Sequence, residues 1–399
     1  MKSVGARRQI GLPRLGESGE HPGRKGDDPP HFPLMKFRIS KEALLDGLQK
    51  VQHVVSSRTT LPILSNVLLT AENGRLTFTT TDLDVGITGS VEAAIEREGA
   101  TTLPVKRLVS IVRELPASEV EVSVDAKNVA SIQSGPSFFK VIGLGQDDFP
   151  PLPDFAGAKE YRIPQQVLRD GLKKTAYAIS TDETRYVLNG IYTSFRDGKI
   201  TLVATDGRRL AMMESDLDFP ASHETDVIVP TKAVQELLRL LGDEGEVLVQ
   251  LSDSQIAFTV GEHLLITKLI EGNYPNYRQV IPGDSTERIE LPREAMFETV
   301  RRVSLLSSDK SNSVKLVFGE NRIEVTANSP DVGEAREVVE VAYTGRPMQI
   351  AFNPEFLKAP LQNLDSQTVY LDLIDEMSPG VVRIDGSFLY VIMPMRVTN

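Results

Sequence analysis

TLVATDGRRLAM, Thr201–Met212, is the middle one of three related stretches that decide how this chain folds. TFTTTDLDVGI (Thr77–Ile87) precedes it and the more diverged IEVTANSPDVGEA (Ile323–Ala335) follows, at a spacing of about 125 residues. A helix start follows each at a similar interval: LPVKRLVSIVREL from Leu103, VPTKAVQELLRLL from Val229 and FNPEFLKAPLQNL from Phe352. Closing segments correspond as well, with DDFPPLP at Asp147, GNYPNYRQVIP at Gly272 and YVIMPMRV at Tyr390. One unit repeated three times predicts three homologous domains, over 35–155, 160–284 and 287–399.

The length of 399 residues agrees, because it exceeds what one hydrophobic core normally serves. Apolar residues make up 40% and charged residues 25%, the balance of a globular chain, and no apolar run approaches the roughly 20 residues of a membrane helix. No membrane partner is expected. There is no cysteine, which excludes disulfides, thiolate catalysis and cysteine-based zinc sites and is compatible with a cytoplasmic location. Residues 1–34 are rich in Gly and Pro without apolar periodicity and read as a disordered N-terminal extension. Their basic start lacks the apolar core of a secretory signal. Met35 reads as the natural start, a functional tail being the alternative.

Within each unit the pattern predicts a helix, several strands, a second helix and further strands. Ser40 is placed to cap the first helix, and Pro164, Pro230 and Pro292 are expected in first turns, where a missing N–H costs nothing. Asn-Gly in AENGRL (Ala71–Leu76) and Asp-Gly in FRDGKI (Phe195–Ile200) suit tight hairpins, so the sheets are expected to be antiparallel. Two helices on one face of a sheet make each domain α+β.

Charge is segregated by element. The six helical segments sum to +6 while the chain carries −11, so the remainder holds −17. Lys106, Ser110 and Arg113 share one face of their helix, opposite Val105, Leu108, Val109 and Val112. Arg169 and Lys173 share a face, as do Lys232 and Arg239, and Arg301 and Arg302 lie opposite Phe297 and Val300. Helix faces of this kind attract a polyanion that the rest of the chain repels. Ordinary solvated surface is the competing explanation.

Taken in order, MKFRISKEALLDGLQ, RTTLPILSNVLL, TTDLD, YVLNGIY, TLVATDGRRLA, NYPNYRQVIP and YVIMPMRV resemble the bacterial DNA polymerase III beta subunit family, the replicative sliding clamps, from Met35 to Val397. The resemblance implies three DNA-clamp domains per chain and a head-to-tail homodimer. The six domains would form a ring with sheets outside and helices around double-stranded DNA. A ring needs no tight grip, because closure confines the duplex and weak phosphate contacts permit sliding. The implied partners are the DNA polymerase III alpha subunit, the clamp loader, and other DNA polymerases and repair proteins carrying clamp-binding peptides. Arg58 and the Arg185–Tyr186 segment become candidate DNA contacts beside Lys106, Arg113, Lys173, Lys232 and Arg302.

The family's peptide pocket maps between domains two and three. It draws on Arg185 and Leu188, on Thr205, Gly207, Arg208, Arg209 and Leu210, and on Pro275 and Val280. Asn353, Phe356, Val391, Met393, Pro394, Met395 and Arg396 complete it. Leu188, Leu210, Pro275, Val391 and Met393 can form an apolar cleft, and Met adapts to differing ligands. The family often has His at Arg208, Tyr at Phe356 and Arg at Gln279, which bears on peptide preference. The dimer contact implied is Phe139 and Val141 against Leu305 and Leu306 of the partner about a twofold axis.

An enzymatic alternative would use Asp82, Asp84 and Asp206 in metal-assisted phosphoryl transfer. Those carboxylates sit in turn cassettes of different domains, however, and no P-loop occurs. IGLGQ at Ile142 lacks a third glycine, and the histidines at 21, 31, 53, 223 and 263 have no ligand spacing. Neither a catalytic residue nor a metal or other cofactor is expected. A scaffold for proteins alone is a third alternative, but it gives no reason for cationic helices.

Overall fold

The structure is a computed structural model that describes residues 34–56, 60–116, 118–307, 312–331 and 333–396. The expected extension therefore lies outside the described residues apart from Leu34, and so do Arg58 and Val397. Six α-helices form among the described residues: α1 Lys41–Val51, α2 Val105–Glu114, α3 Gln165–Thr175, α4 Thr231–Leu240, α5 Arg293–Val303 and α6 Pro354–Asn363. Each unit supplies two.

Ser40 caps α1 by accepting the Ala43 N–H at 3.1 Å. Pro164, Pro230 and Pro292 stand one place earlier than expected, at the cap itself. Each ends a strand, and its extended backbone carries the strand directly into the helix. Among these six helices only α6 has a proline in its first turn, Pro354, behind the cap Asn353.

The helices approach the sheets closely where a glycine permits it. A Cβ at Gly47 of α1 would come within 2.5 Å of the Phe78 ring, and one at Gly171 of α3 within 2.6 Å of Leu202. Asp-Gly-Leu thus recurs in the first two units to admit a large sheet residue against the helix backbone. In α5 the buried Thr299 stands at the corresponding place. The hairpins form as expected, with Asn73, Gly74, Asp197 and Gly198 all at positive φ.

Strand pairing is antiparallel throughout, but the sheets do not respect the repeat boundaries. The second strand of the first cassette, Val85–Glu92, pairs with His263–Lys268, the last strand of the next unit, to complete an eight-stranded sheet. Arg209–Asp216 pairs likewise with Leu389–Ile392, joining units two and three in a second eight-stranded sheet. One sheet per domain, with the helices on it, was the expectation; each unit instead contributes to two sheets. An open edge left by one unit is covered by the next, which removes the liability of unpaired N–H and C=O groups. Two sheets remain at the ends of the chain, one five-stranded with Ser137–Ile142 at its edge and one four-stranded with Gly333–Glu340 at its edge.

Candidate peptide cleft and nucleic-acid face

The turn of the second cassette organises the junction between units two and three. Asp206 accepts the N–H groups of Arg208 (2.9 Å) and Arg209 (3.1 Å) on one carboxylate oxygen and the Arg209 guanidinium (3.1 Å) on the other. Thr205 donates its hydroxyl to the Arg209 carbonyl at 2.6 Å and accepts the Gly207 N–H. Gly207 has φ +86°, and a Cβ there would lie 2.9 Å from the Arg185 guanidinium. Arg185 in turn donates to the Asp206 carbonyl at 2.7 Å and to the Asp182 carboxylate at 2.9 Å. Hydrogen bonds from Thr184, and then from Arg185, hold the Asp182 carboxyl below its ordinary value. Residues 182–185 and 205–209 are therefore one polar unit.

The C-terminal strand lies beside it. Met393 donates its N–H to the Arg208 carbonyl at 3.0 Å, and Met395 donates to Ala351 at 2.7 Å. Leu210 and Val391 are directly paired in register and buried in one cluster with Val203, Tyr277, Val381 and Leu389. Leu188 is also buried, whereas Met393 is 44% and Val280 51% exposed, and Pro275 is exposed. The expected apolar residues thus divide into a buried group and an open rim. On the α6 side, Asn353 accepts the Glu355 N–H at 2.8 Å, while the Arg209 guanidinium lies 4.4 Å from the Phe356 ring centre. Tyr390 donates its hydroxyl to the Phe356 carbonyl, and burial raises the pKa of both Tyr390 and Tyr177. Pro394 and Met395 are half-buried, and Arg208 and Arg396 are exposed.

Tyr277 was missed as a site residue. Its burial with Leu210 and Val391 was signalled only by its place in the Tyr-Pro-x-Tyr segment. Tyr177, whose ring lies 5.8 Å from that of Tyr390, carried no local signal at all.

The helical cations divide sharply. Lys106 and Arg113 are exposed on α2, and Tyr186 is 58% exposed. Lys232 is instead an interdomain clasp, its ammonium donating to the Val54 carbonyl at 2.6 Å and to the Asp82 carboxylate. Lys173 pairs with Asp365 of unit three at 3.3 Å, and Arg302 makes a two-pronged pair with Glu337 at 2.7 and 2.8 Å. Such partners, far away in sequence, are invisible to helical periodicity.

At the open sheet edges, Phe139 is 38% and Leu305 78% exposed, and Leu306 is half-buried beside Gly333. Val141 corrects the expectation, since it is 4% exposed and belongs to the core of its own unit. Strand alternation puts Phe138 and Ile142 on the opposite face, 55% and 76% exposed.

Asp82 repeats the Asp206 geometry, accepting the Asp84 N–H at 3.1 Å and the Val85 N–H at 2.8 Å, so both carboxylates serve turns. Among the described residues no group of three His, Cys, Asp or Glu side chains is placed to hold a metal ion.

The family models for the N-terminal, central and C-terminal domains of the DNA polymerase III beta subunit match residues 35–153, 162–276 and 278–396. The beta sliding clamp of Chlamydia muridarum is 36% identical over 363 residues, covering 91% of this chain and 99% of that protein. That of Escherichia coli is 34% identical, covering 91% and 100%. Among solved structures, the Bacillus subtilis sliding clamp superposes with a TM-score of 0.86 at 30% identity. A Bartonella birtlesii clamp bound to griselimycin gives 0.86 at 37%. Each covers 91% of this chain and is itself covered in full. With all three units matched in order and relatives aligned almost end to end, the chain belongs to the DNA polymerase III beta subunit family, the bacterial beta sliding clamps.

Proposed function

We propose that two copies of this chain close into a ring around duplex DNA and tether DNA polymerase III and other replication and repair proteins to it. The observation that carries this reading is the repeated junction. The second strand of the cassette pairs with the last strand of the next unit at Val85–Glu92:His263–Lys268 and again at Arg209–Asp216:Leu389–Ile392. Gly333–Glu340 is the second strand of the third cassette and Ser137–Ile142 ends the first unit, and both are edges. The same rule applied once more joins Gly333–Glu340 of one chain to Ser137–Ile142 of a second, and two such junctions close six domains. Exposed Phe139 and Leu305, with Leu306, suit that contact, and Val141 would support it from within.

Retention on DNA then comes from topology, and tethering raises the local concentration of a bound polymerase at its template. Helix cations supply weak contacts to phosphates of any sequence, with Lys106, Arg113 and Tyr186 the most accessible of the candidates described. Partner peptides would enter at Met393 and Val280 over the apolar floor of Leu210 and Val391. Arg208, Arg209 and Arg396 would meet the peptide's polar groups. A structure of a related clamp from Caulobacter crescentus holds polyethylene glycol in what is described there as a putative tethering region. The role is non-catalytic and cytoplasmic and needs no cofactor, with ring opening driven by a separate clamp loader. Particle images of the purified chain test the assembly. Closed rings of six lobes with a bore wide enough for B-form duplex are expected, and isolated three-lobed crescents would contradict it.

A further inference from the structure

The basic helix faces are not equivalent once their partners are counted in. On α3, α4 and α5 the cations are held by carboxylates: the half-buried Arg169 by Asp243, and the exposed Arg239 by Glu236 at 2.5 Å, Arg301 by Glu298 at 2.5 Å and Arg302 by Glu337 at 2.7 Å. Lys173 and Lys232 are spent on the interdomain pairs with Asp365 and Asp82. On α2, by contrast, Lys106, Arg107 and Arg113 are all exposed and have no carboxylate partner among the described residues. Glu114 is the one acid on that helix. It falls about 80° around the axis from Lys106, off the Lys106–Ser110–Arg113 stripe and on the side of Arg107, with which it forms no ion pair among the described residues. Among the described residues, Lys174, half-buried on α3, is the other helix cation without a partner.

This difference decides what a phosphate meets. A guanidinium already holding a carboxylate presents a nearly neutral pair, and a phosphate binding there must displace the acid or sit against it. A free cation has only water and loosely held ions to give up, so it contributes the full counterion-release gain.

We propose that α2 of the first domain supplies the principal electrostatic grip on the duplex, while the cations of α3 to α5 are mainly engaged by carboxylates of their own domain or, for Lys173 and Lys232, of the neighbouring one. The proposal rests on the DNA-encircling reading above. A two-chain ring carries two such helices, so the duplex rests against one or the other instead of sharing its charge evenly among all the helices.

The test is the salt dependence of binding to a short linear duplex, read by fluorescence anisotropy for the intact dimer. A K106A/R107A/R113A variant removes the free cations, and R169A/R239A/R301A removes an equal number of paired ones. Loss of the α2 cations is expected to flatten the slope of log K against log salt by about 2 to 3 units, at roughly 0.9 for each phosphate no longer neutralised. Loss of the paired set should change it by less than about one unit. Because all three α2 side chains are exposed, the fold should be retained, which unfolding temperature checks; K106R/R113K should keep the slope. Equal flattening by both sets, or none with the α2 set while the wild-type slope remains, would overturn the proposal. A wild-type chain with no salt-dependent binding would remove the DNA-encircling reading itself.

Discussion

The backbone N–H of Met393 donates to the carbonyl of Arg208 at 3.0 Å, fastening the end of the chain to the turn of the second unit. Lys268 and Asp84 make the same bond at 2.9 Å between the first two units. The two junctions share one backbone design but differ in side chains. Where Lys268 forms an exposed ion pair with Asp84 at 3.0 Å, Met393 leaves an open apolar rim beside Arg208. That contrast makes the second junction the better place for an apolar peptide.

Replacing Met393 with Ala should weaken binding of a labelled peptide from a polymerase partner by roughly tenfold, about 1–2 kcal/mol. Fluorescence polarisation measures it. An unchanged affinity would place the peptide elsewhere.

The edge assignment makes Leu305 decisive for assembly. Leu305→Asp puts a charge where a contact must be dry and should raise the dimer dissociation constant by roughly 100-fold or more. Sedimentation velocity reads the species directly, and the unfolding temperature of the separated chains should stay close to that of the parent monomer.

Lys232 gives the opposite signature to a DNA contact. Lys232→Ala should cost about 1 kcal/mol of stability, discounted for solvent access to the pair with Asp82. It should leave the salt slope of DNA binding close to that of the unaltered chain. A large fall in that slope would return Lys232 to the nucleic-acid face.

His263 makes the first junction sensitive to acid. It lies in the strand paired with Val85–Glu92, and a Cβ at Gly89 would come within 2.6 Å of its ring. Burial, then the nearby Lys50 charge, lowers its pKa below 6.5, against weaker opposition from Asp46 and Glu262. The folded state therefore binds its proton less readily than the unfolded chain does. Stability from this group is complete above about pH 6.5 and declines as pH falls below that value through the native pKa. A plot of unfolding temperature against pH should flatten in that range for His263→Gln, and identical curves for variant and parent would contradict this.

The repeat and the antiparallel hairpins were legible because Asn73-Gly74 and Asp197-Gly198 announce tight turns and the cassettes share a local pattern. The helix faces were legible because Leu108, Val109 and Val112 recur at helical spacing. Sheet continuity was not, because pairing of Thr267 with Val85 depends on contacts far apart in sequence that no local pattern encodes. The same holds for Lys232 with Asp82 and Arg302 with Glu337, whose cations read as free when only their own helices are considered. In the candidate cleft, the order Thr-Asp-Gly-Arg-Arg-Leu foretold a turn. The stacking of Arg209 on Phe356 and the burial of Tyr277 emerged only from the fold.

Confinement by closure is tested most directly by loading the labelled clamp onto nicked circular plasmid, then comparing its retention before and after a single restriction cut. Long retention on the circle and rapid loss through the new ends are expected, whereas equal release from both forms would show that affinity, and not threading, holds the protein on DNA.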